Sequence, residues 1–576
     1  MPYRPIVPNH PEPVMRIYSG SAYTTREECP KHVAAKADYA IKRSKRRESP
    51  LLADMAFEPL TAVLDLVEHR GYSVEDACAA LPSPADGPRI LVNDRVRPPH
   101  EGLLAWTRHA ARAYLDALAA DEDRDGRQRT PAADPWVHQY LPGNGERPRE
   151  LCAWGRRYTF HDNGETFREL RIPVLGSLER RQGDRTAKTA VEAFVLATGT
   201  PVDSDVLASE PGRYWGGVPF PMRHPDGRSP EAAPGPRRVR IVEVSCLDSA
   251  VSPPLFEGDV SEAKAFYAAE GRGRLRTVVR ADARVPGSDC VSCKVHPGCT
   301  ALPSVQGLLG VSSKRRPRRT WSVTTGRYYE DCPAKAHFRE LRLPTEAGVE
   351  YPAPVRQGHA VHAWLQRLHE RRPFRPCTAD DLPEDPGSWS AGQWLLEGED
   401  ARRATEMLAG HIEVCPLKDV SPITDVRMEQ TLAAEDPEAD VVVLAKADML
   451  FHRDGSLVYH ELKTSGSITP FGSRRLMWRH PQLALAVHLF ARGVIEPGPM
   501  STVELETLTP SGPDVRTIDP RSESAQARAA EVVHGLTAHW YGEERFPPAP
   551  DPKVCGRCPY QRWCPSADPG EDPEER

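Results

Sequence analysis

The sequence has no run of about 18 apolar residues, the length that a membrane-spanning helix needs, so we expect no transmembrane segment. Its first residues carry no apolar stretch typical of a secretion signal, which favours a cytoplasmic location. It also lacks G-x-x-x-x-G-K-[ST], G-x-S-x-G and G-x-G-x-x-G. We therefore expect neither a built-in phosphate-binding-loop motor, nor a serine hydrolase of that class, nor a dinucleotide site.

The composition is that of a folded protein without excess charge of either sign. The 576 residues include 75 Lys and Arg against 81 Asp and Glu, a net charge of −6, so any contact with nucleic acid must use local basic patches. Proline occurs 58 times, about double ordinary usage. This frequency argues against coiled coils and helical solenoids and favours a loop-rich mixed fold of two or three domains.

The thirteen cysteines follow a pattern. A C-x2-C-x5-C run occurs twice, and each run has one distant upstream partner in a Cys-Pro pair. The first set is Cys29, Cys290, Cys293 and Cys299, and the second set is Cys332, Cys555, Cys558 and Cys564. Without an export signal, such cysteines indicate metal or redox chemistry rather than disulfides. The other five, Cys78, Cys152, Cys246, Cys377 and Cys415, are predicted to be ordinary buried residues.

The repeated cysteine pattern divides the chain. We predict a first unit over residues 1–300, a basic linker over 301–320, a second unit over 321–565 and an acidic, disordered tail over 566–576. The basic run in the linker has two open interpretations, a solvated tether or a contact with nucleic acid.

Four thiolates can bind a tetrahedral zinc or an iron–sulfur cluster. Zinc ribbons usually pair two nearby C-x2-C knuckles, whereas here one cysteine lies almost a whole unit away from the other three. We therefore favour a [4Fe–4S] cluster that clamps the start of each unit to its end. Zinc and the absence of any metal remain alternatives.

An acidic site is predicted inside the second unit. Residues 441–451 and 457–464 form two strand patterns with an Asp-Gly turn signal between them. Alternation on a strand places Glu461 and Lys463 on one face, and Asp448 on the neighbouring strand can reach that face. Because two carboxylates and a lysine are costly to bury, a divalent metal is expected to compensate them.

Two helices add polar residues to this set. The pattern of 480–490 is apolar nearly all round and predicts a core helix, with Gln482 in its first turn as the polar exception. Residues 358–365 open an amphipathic helix that contains His362, although a histidine on such a helix is usually structural. E-x-K also occurs at 262–264, on an exposed helix, so the specificity lies in the ordered set.

That ordered set is Cys, His, Asp on a strand, Glu-x-Lys on the next strand, Gln on the next helix and three Cys. It resembles the PD-(D/E)XK nuclease superfamily and, within it, the RecB-like branch with an iron–sulfur cluster. That branch includes AddB-type nuclease domains and the exonucleases of CRISPR adaptation. The resemblance covers roughly 321–565. It implies an α/β restriction-endonuclease-like fold, with a mixed central sheet flanked by helices, and the cysteine repeat predicts two such domains in tandem.

The resemblance also implies roles for single residues. Asp448 and Glu461 would be acidic ligands of one or two Mg²⁺ or Mn²⁺ ions, and His362 would join them. Lys463 would be the catalytic lysine, and Gln482 would help to place the active site and substrate. The cluster ligands of the second unit would be Cys332, Cys555, Cys558 and Cys564.

The first unit repeats the cysteine pattern but has poor catalytic positions. We expect the strand at 238–246 to correspond to the E-x-K strand, with Glu243 retained and Ser245 in place of the lysine. No aspartate lies on a preceding strand pattern, since Asp203 and Asp205 fall in a loop. The unit is expected to be a degenerate nuclease domain that keeps a cluster and binds nucleic acid or the other half. A packing domain without a ligand is the alternative.

These observations predict a metal-dependent DNA nuclease, an exonuclease or a single-strand-preferring enzyme, in DNA repair, recombination or antiviral defence. Its partners would be DNA and a separate helicase, with no membrane. One alternative is a non-catalytic iron–sulfur scaffold that binds nucleic acid and works with a separate helicase or nuclease. The complete acidic set argues against it. A redox enzyme with two clusters is a second alternative, disfavoured because the sequence contains no recognisable cofactor or electron-partner motif.

Overall fold

The structure of the 576-residue chain is a computed structural model. It describes residues 12–23, 28–42, 50–81, 97–141, 147–180, 183–223, 235–312, 316–418, 420, 425–468, 473–549 and 551–567. Residues 313–315 of the predicted linker and 568–576 of the predicted tail lie outside the described residues.

The first unit contains nine described strands and nine described α-helices. The strands are β1 (Met15–Tyr18), β2 (Thr130–Pro131), β3 (Trp136–Tyr140), β4 (Arg149–Cys152), β5 (Arg156–Asp162), β6 (Glu165–Val174), β7 (Thr200–Pro201), β8 (Arg238–Ser245) and β9 (Phe256–Asp259). The helices are α1 (Pro30–Ala37), α2 (Phe57–Arg70), α3 (Val74–Ala80), α4 (Glu101–Asp125), α5 (Thr186–Thr198), α6 (Ser204–Ser209), α7 (Pro211–Trp215), α8 (Val260–Phe266) and α9 (Arg272–Val279).

The second unit contains eight described strands and nine described α-helices. The strands are β10 (Arg319–Trp321), β11 (Ser388–Ala391), β12 (Trp394–Glu397), β13 (Arg427–Asp436), β14 (Val441–Arg453), β15 (Ser456–Thr464), β16 (Thr502–Thr509) and β17 (Gly512–Ile518). The helices are α10 (Val323–Asp331), α11 (Pro333–Glu340), α12 (Ala347–Glu350), α13 (Ala353–Glu370), α14 (Gly398–Val414), α15 (Ser473–Arg479), α16 (Pro481–Ala491), α17 (Glu523–Gly542) and α18 (Pro552–Cys555).

The second unit is built on a mixed sheet with the order β10-β14-β15-β16-β17, and β13 also pairs with β14. The pairs β10–β14 and β15–β16 are parallel and the others are antiparallel. Helices α16 and α17 pack on one part of this core, and α13 and α14 pack on another part with Leu462 and Leu508. The expected mixed α/β fold with helices flanking mixed sheets is confirmed.

The predicted hairpin forms as expected. Strands β14 and β15 pair up to Arg453 and Ser456, so only Asp454 and Gly455 turn the chain. Both have a positive φ, 50° and 72°, which is the conformation of a type I′ turn and explains the Asp-Gly pair. The turn fixes the register of the two strands that carry the acidic site.

The two units share hydrophobic contacts. Trp106 of α4 lies in one buried cluster with Phe338 of α11 and with Trp563 near the chain end. Cys290 of the first unit lies in another cluster with Val442 of β14. Two buried clusters therefore contain residues from both sides of the predicted boundary near residue 300.

The described part of the predicted linker packs against the second unit. Leu308 and Leu309 are fully buried in its core. Arg318 forms an ion pair with Asp440, at 2.8 Å between Nε and Oδ1, and the Arg319 guanidinium lies over the Trp540 ring. These two arginines of the basic run are therefore paired within the protein.

Candidate metal and catalytic centre

Three neighbouring strands bring three carboxylates together. The pairs Met428↔Met449 and Gln430↔Ala447 keep one register, so Glu429 on β13 stands opposite Asp448 on β14. One step beyond the pair Met449↔His460, Glu461 on β15 flanks Asp448 from the other side. Residues opposite one another in neighbouring antiparallel strands project from the same face. The three acidic side chains therefore form a row across the sheet.

The backbone holds Asp448 in place within this row. The Leu462 N–H donates a hydrogen bond to Asp448 Oδ2 at 2.7 Å. Since Leu462 lies between Glu461 and Lys463, this bond ties the aspartate to the strand that carries both.

Glu429 was not predicted from the sequence. Its φ of 50° places a non-glycine residue in the left-handed region, a conformation that costs about 1 to 3 kcal/mol and is concentrated at functional sites. Like charges directly opposite one another also destabilise a sheet. Lys446 Nζ lies 2.9 Å from Glu429 Oε2 and offsets part of this repulsion, so the strained backbone of Glu429 is the feature that indicates a functional role.

His362 on α13 completes the group. Its Nδ1 lies 3.8 Å from Asp448 Oδ1, and the ligand atoms of His362, Glu429 and Asp448 all lie within 4.8 Å of one another. One helical turn earlier, a Cβ at Gly358 would lie 2.7 Å from Thr464 Oγ1. Glycine therefore allows α13 to approach the end of β15, which brings His362 to the carboxylates.

The buried Glu461 and the partly exposed Lys463 form an ion pair. Lys463 Nζ donates to Glu461 Oε1 at 2.5 Å, while Glu461 Oε2 is buried without a hydrogen-bond partner. Burial, and then the neighbouring Asp448 carboxylate, raise the pKa of Glu461 to about 7. Although burial opposes it, the Glu461 and Asp448 carboxylates raise the pKa of Lys463 above its usual value. The lysine therefore stays charged but leaves one carboxylate oxygen unsatisfied.

The donor set fits a hard divalent cation. The Glu429 and Asp448 carboxylates and the His362 imidazole converge, and Glu461 lies beside Asp448; Lys446 pairs with Glu429 at 2.9 Å and Lys463 pairs with Glu461. Carboxylate oxygens are the ligands that Mg²⁺ and Mn²⁺ prefer. The orphaned Glu461 Oε2 is an atom that such an ion would satisfy.

Gln482 lies in the first turn of α16, as predicted, and is half-buried. His480 immediately precedes this helix, and burial together with the Lys463 charge lowers the pKa of His480 to about 4. The beginning of α16 therefore lies within electrostatic range of Lys463. The expected role of Gln482 in placing the active site and substrate stays a prediction.

The structure brings each cysteine set together. Cys332, Cys555, Cys558 and Cys564 line one small cavity. The Ala549 N–H donates to Cys332 Sγ at 3.4 Å. Burial raises the pKa of the Cys558 and Cys564 thiols, and the neighbouring cysteines raise it further.

The first cysteine set converges in the same way. Cys29, Cys290, Cys293 and Cys299 line a second small cavity. The Val285 N–H donates to Cys29 Sγ and the Gly287 N–H to Cys290 Sγ, both at 3.5 Å. Backbone N–H groups directed at sulfur are typical of cysteines that hold a metal group.

The first unit has a sheet of similar plan, with β5-β6-β8-β9 in the order and directions of β14-β15-β16-β17. In this plan β6 corresponds to β15, so the expected match with Arg238–Ser245 was wrong. That strand is β8, the parallel partner, which corresponds to β16. Counted from the hairpin turns and from the first parallel pairs, Leu170 and Ile172 occupy the positions of Glu461 and Lys463, and Arg157, which pairs with Leu170, occupies the position of Asp448.

Arginines surround Glu169, which precedes Leu170 and occupies the position of His460 in this plan. Glu169 is fully buried, and its carboxylate accepts hydrogen bonds from Arg129 Nε and Arg171 Nη1, each at 3.0 Å, and from Arg240. Three guanidinium groups leave no negative charge for a divalent cation. Glu243 is also neutralised, by Arg185 at 2.8 and 2.9 Å.

Residues 320–565 match the family model of the PD-(D/E)XK nuclease superfamily. The match contains the acidic row, His362, Lys463 and the second cysteine set, and it indicates a nuclease-type phosphodiesterase that uses divalent metal and a nucleic-acid substrate.

No curated protein matches the chain. Twelve chains of solved structures match. One, described as "Crystal structure of SSO0001", is 16% identical and covers 28% of this chain and 71% of that chain; its TM-score is 0.19, too low to support an argument. Within the described residues, no helix has the length and apolar character needed to cross a bilayer.

Proposed function

We propose that the second unit is a divalent-metal-dependent DNA nuclease that prefers single strands or DNA ends. The observation that carries the proposal is the row Glu429–Asp448–Glu461 beside Lys463, in which one buried carboxylate oxygen has no partner. Drift in a non-catalytic scaffold would be expected to remove such a costly set of charges, and the first unit indeed has Leu170 and Ile172 at the positions of Glu461 and Lys463.

A small number of side chains would carry out the hydrolysis of the phosphodiester bond. Glu429, Asp448, Glu461 and His362 would hold Mg²⁺ or Mn²⁺, which supplies an activated water and neutralises phosphoryl charge when bound. Lys463, kept protonated by the carboxylates, orients the attacking water and stabilises the charge that develops on the phosphoryl oxygens. The Leu462 N–H keeps the Asp448 carboxylate aimed at the same point.

The two cysteine sets would each hold a [4Fe–4S] cluster. Four converging thiols and N–H donors to sulfur support this assignment in both cavities, with zinc as the alternative. The cluster of the second unit would tie α11 to the chain end, and both segments pack against α4 of the first unit. The clusters are then structural, and the first unit is a non-catalytic domain that supports the second.

The test is cleavage of end-labelled DNA by anaerobically purified protein with Mg²⁺ or Mn²⁺. Linear and circular forms of single- and double-stranded DNA are compared. Degradation of linear single strands with circles left intact would establish the end-dependent, single-strand activity. Cleavage of circles would identify an endonuclease and overturn the end dependence. The absence of cleavage by protein with full metal content would contradict the proposal and favour a scaffold that works with a separate helicase or nuclease.

Glu429→Gln tests the residue that the sequence did not reveal. Loss of one carboxylate ligand is expected to weaken Mn²⁺ binding by at least the roughly 10- to 100-fold that changes around a metal site produce. Mn²⁺ binding is measured by electron paramagnetic resonance of the free ion. Glu496→Gln, at an exposed position, is the matched control. Equal affinity of the two variants would remove Glu429 from the centre.

Substitutions in the first unit are expected to leave the rate of cleavage within about twofold, because surface or remote changes rarely affect the reacting groups. Glu243→Gln and Glu169→Gln are the variants, since both carboxylates are already neutralised by arginines. Both buried pairs contribute to folding, so the rate is measured on protein shown to be folded by circular dichroism. A tenfold loss in a folded variant would assign catalysis to the first unit.

A further inference from the structure

A second group of potential metal ligands lies away from the acidic row and from both cysteine sets. His369 is at the end of α13, Cys377 follows in the next loop, and His411 and Cys415 are one turn apart at the end of α14. All four side chains are buried, with relative exposures of 4%, 2%, 1% and 3%. Their ligand atoms lie within 4.8 Å of one another.

The three distances from His369 match those between the ligands of a tetrahedral ion. His369 Nε2 lies 3.4 Å from His411 Nε2, 3.4 Å from Cys377 Sγ and 3.7 Å from Cys415 Sγ. A tetrahedral zinc with Zn–N of about 2.05 Å and Zn–S of about 2.3 Å separates two nitrogens by about 3.3 Å and a nitrogen from a sulfur by about 3.6 Å. The side chains are therefore already spaced for one such ion.

The second nitrogen of His411 is fixed in the way that metal-binding histidines are. His411 Nδ1 donates to Glu506 Oε1 at 2.6 Å, deep in the protein. With its proton on Nδ1, the imidazole presents the lone pair of Nε2 to the other three ligands. A carboxylate behind a ligating histidine orients the ring and raises its basicity.

The charge also balances. A divalent ion bound by two thiolates and two neutral imidazoles carries no net charge, so burial of the assembly avoids the cost of an isolated charge. Two thiolates favour a soft or borderline ion over Mg²⁺ or Mn²⁺. Four protein ligands and no exposed side leave no position for a substrate, which is the character of a structural zinc site.

We propose that His369, Cys377, His411 and Cys415 bind one structural zinc ion. On binding, each cysteine releases its thiol proton to solvent and forms a Zn–S bond, and each histidine donates its Nε2 lone pair. The ion joins the end of α13 and the following loop to the end of α14. Cys377 and Cys415 are buried, as expected, and the proposal adds a role as metal ligands.

The site is also linked to the acidic row. His369 follows His362 by seven residues, two turns along α13, so the zinc would anchor the helix that carries His362. Glu506, which holds His411, also accepts a hydrogen bond from His460 Nε2 at 3.0 Å. His460 directly precedes Glu461 on β15. Only this consequence rests on the proposed nuclease function, and the zinc site itself does not.

The test is elemental analysis of the anaerobically purified full chain by inductively coupled plasma mass spectrometry. Wild type is expected to hold one zinc per chain, and Cys415→Ser is expected to lose it. Cys78→Ser, at a buried cysteine outside every set, is the matched control and should keep its zinc. Cys558→Ser should lose iron and keep zinc, which separates this site from the cysteine sets. Wild type without zinc after incubation with Zn²⁺, or Cys415→Ser with its full zinc content, would overturn the proposal.

X-ray absorption at the zinc edge of wild type gives a result that does not depend on folding of the variants. Two sulfurs at about 2.3 Å and two nitrogens at about 2.0 to 2.1 Å are expected. A shell of four sulfurs would place the zinc in a cysteine set, and a shell without sulfur would place it at the surface; either contradicts the assignment. A Cys377–Cys415 disulfide in the mass spectrum of native protein would also contradict it.

Discussion

Replacement of Lys463 by alanine is expected to lower the rate of DNA cleavage by about a hundredfold to a thousandfold, the effect of removing one preorganised charge that stabilises the transition state. Lys463 is the cation within hydrogen-bonding distance of Glu461, and the carboxylates keep it protonated. Its loss leaves the metal ligands in place, so Mn²⁺ affinity should change much less than the rate. Single-turnover cleavage of labelled DNA and Mn²⁺ titration measure the two quantities.

Lys264→Ala is the matched control for this variant. Lys264 belongs to a second E-x-K sequence, but it lies on helix α8 of the first unit rather than on a strand beside an acidic row. The Lys264→Ala variant should cleave DNA at the wild-type rate. If Lys463→Ala cleaves as fast as Lys264→Ala, Lys463 has no part in the reaction.

Replacement of Cys558 by alanine is expected to remove one cluster and to lower the free energy of unfolding by roughly 2 to 5 kcal/mol, the range for loss of a cross-link that closes a long loop. The cavity formed by Cys332 and the C-terminal triplet lies between α11 and the chain end, next to the cluster of Phe338, Trp563 and Trp106. The substitution should therefore loosen the contact between the two units as well as the second unit itself. Iron content and urea unfolding are the measurements.

Cys246→Ala controls for loss of a cysteine side chain alone. Cys246 is fully buried and belongs to neither set, so its variant should keep all of its iron and lose only packing energy. Full iron content in Cys558→Ala, with an unfolding midpoint equal to that of wild type, would contradict the clamp.

The sequence revealed what depends on local patterns. Alternation along β14 and β15 and the Asp-Gly turn were sufficient to place Asp448, Glu461 and Lys463 on one face. Glu429 was missed because its role depends on a register between β13 and β14, which no local pattern specifies. An acidic residue on a third strand adjoining the Asp448 strand was the signal to look for.

The other two features that the sequence did not reveal also depend on residues far apart in the chain. The strand of the first unit that corresponds to β15 was misassigned because the parallel pairing of β6 and β8 spans the helix α5. The His369, Cys377, His411 and Cys415 group was missed because its members come from two helices and a loop. The local signal of this group was the H-x3-C spacing of His411 and Cys415, which lie one turn apart at a helix end.

The central claim is that Glu429, Asp448, Glu461 and His362 hold the divalent ion used for cleavage. Crystals of the protein soaked in Mn²⁺ and measured at the manganese absorption edge test it most directly. The account predicts an anomalous peak within coordination distance of the Asp448 and Glu461 carboxylates, with Lys463 beside it, and loss of that peak in Asp448→Asn. Manganese bound elsewhere, or a peak that persists in Asp448→Asn, would contradict it.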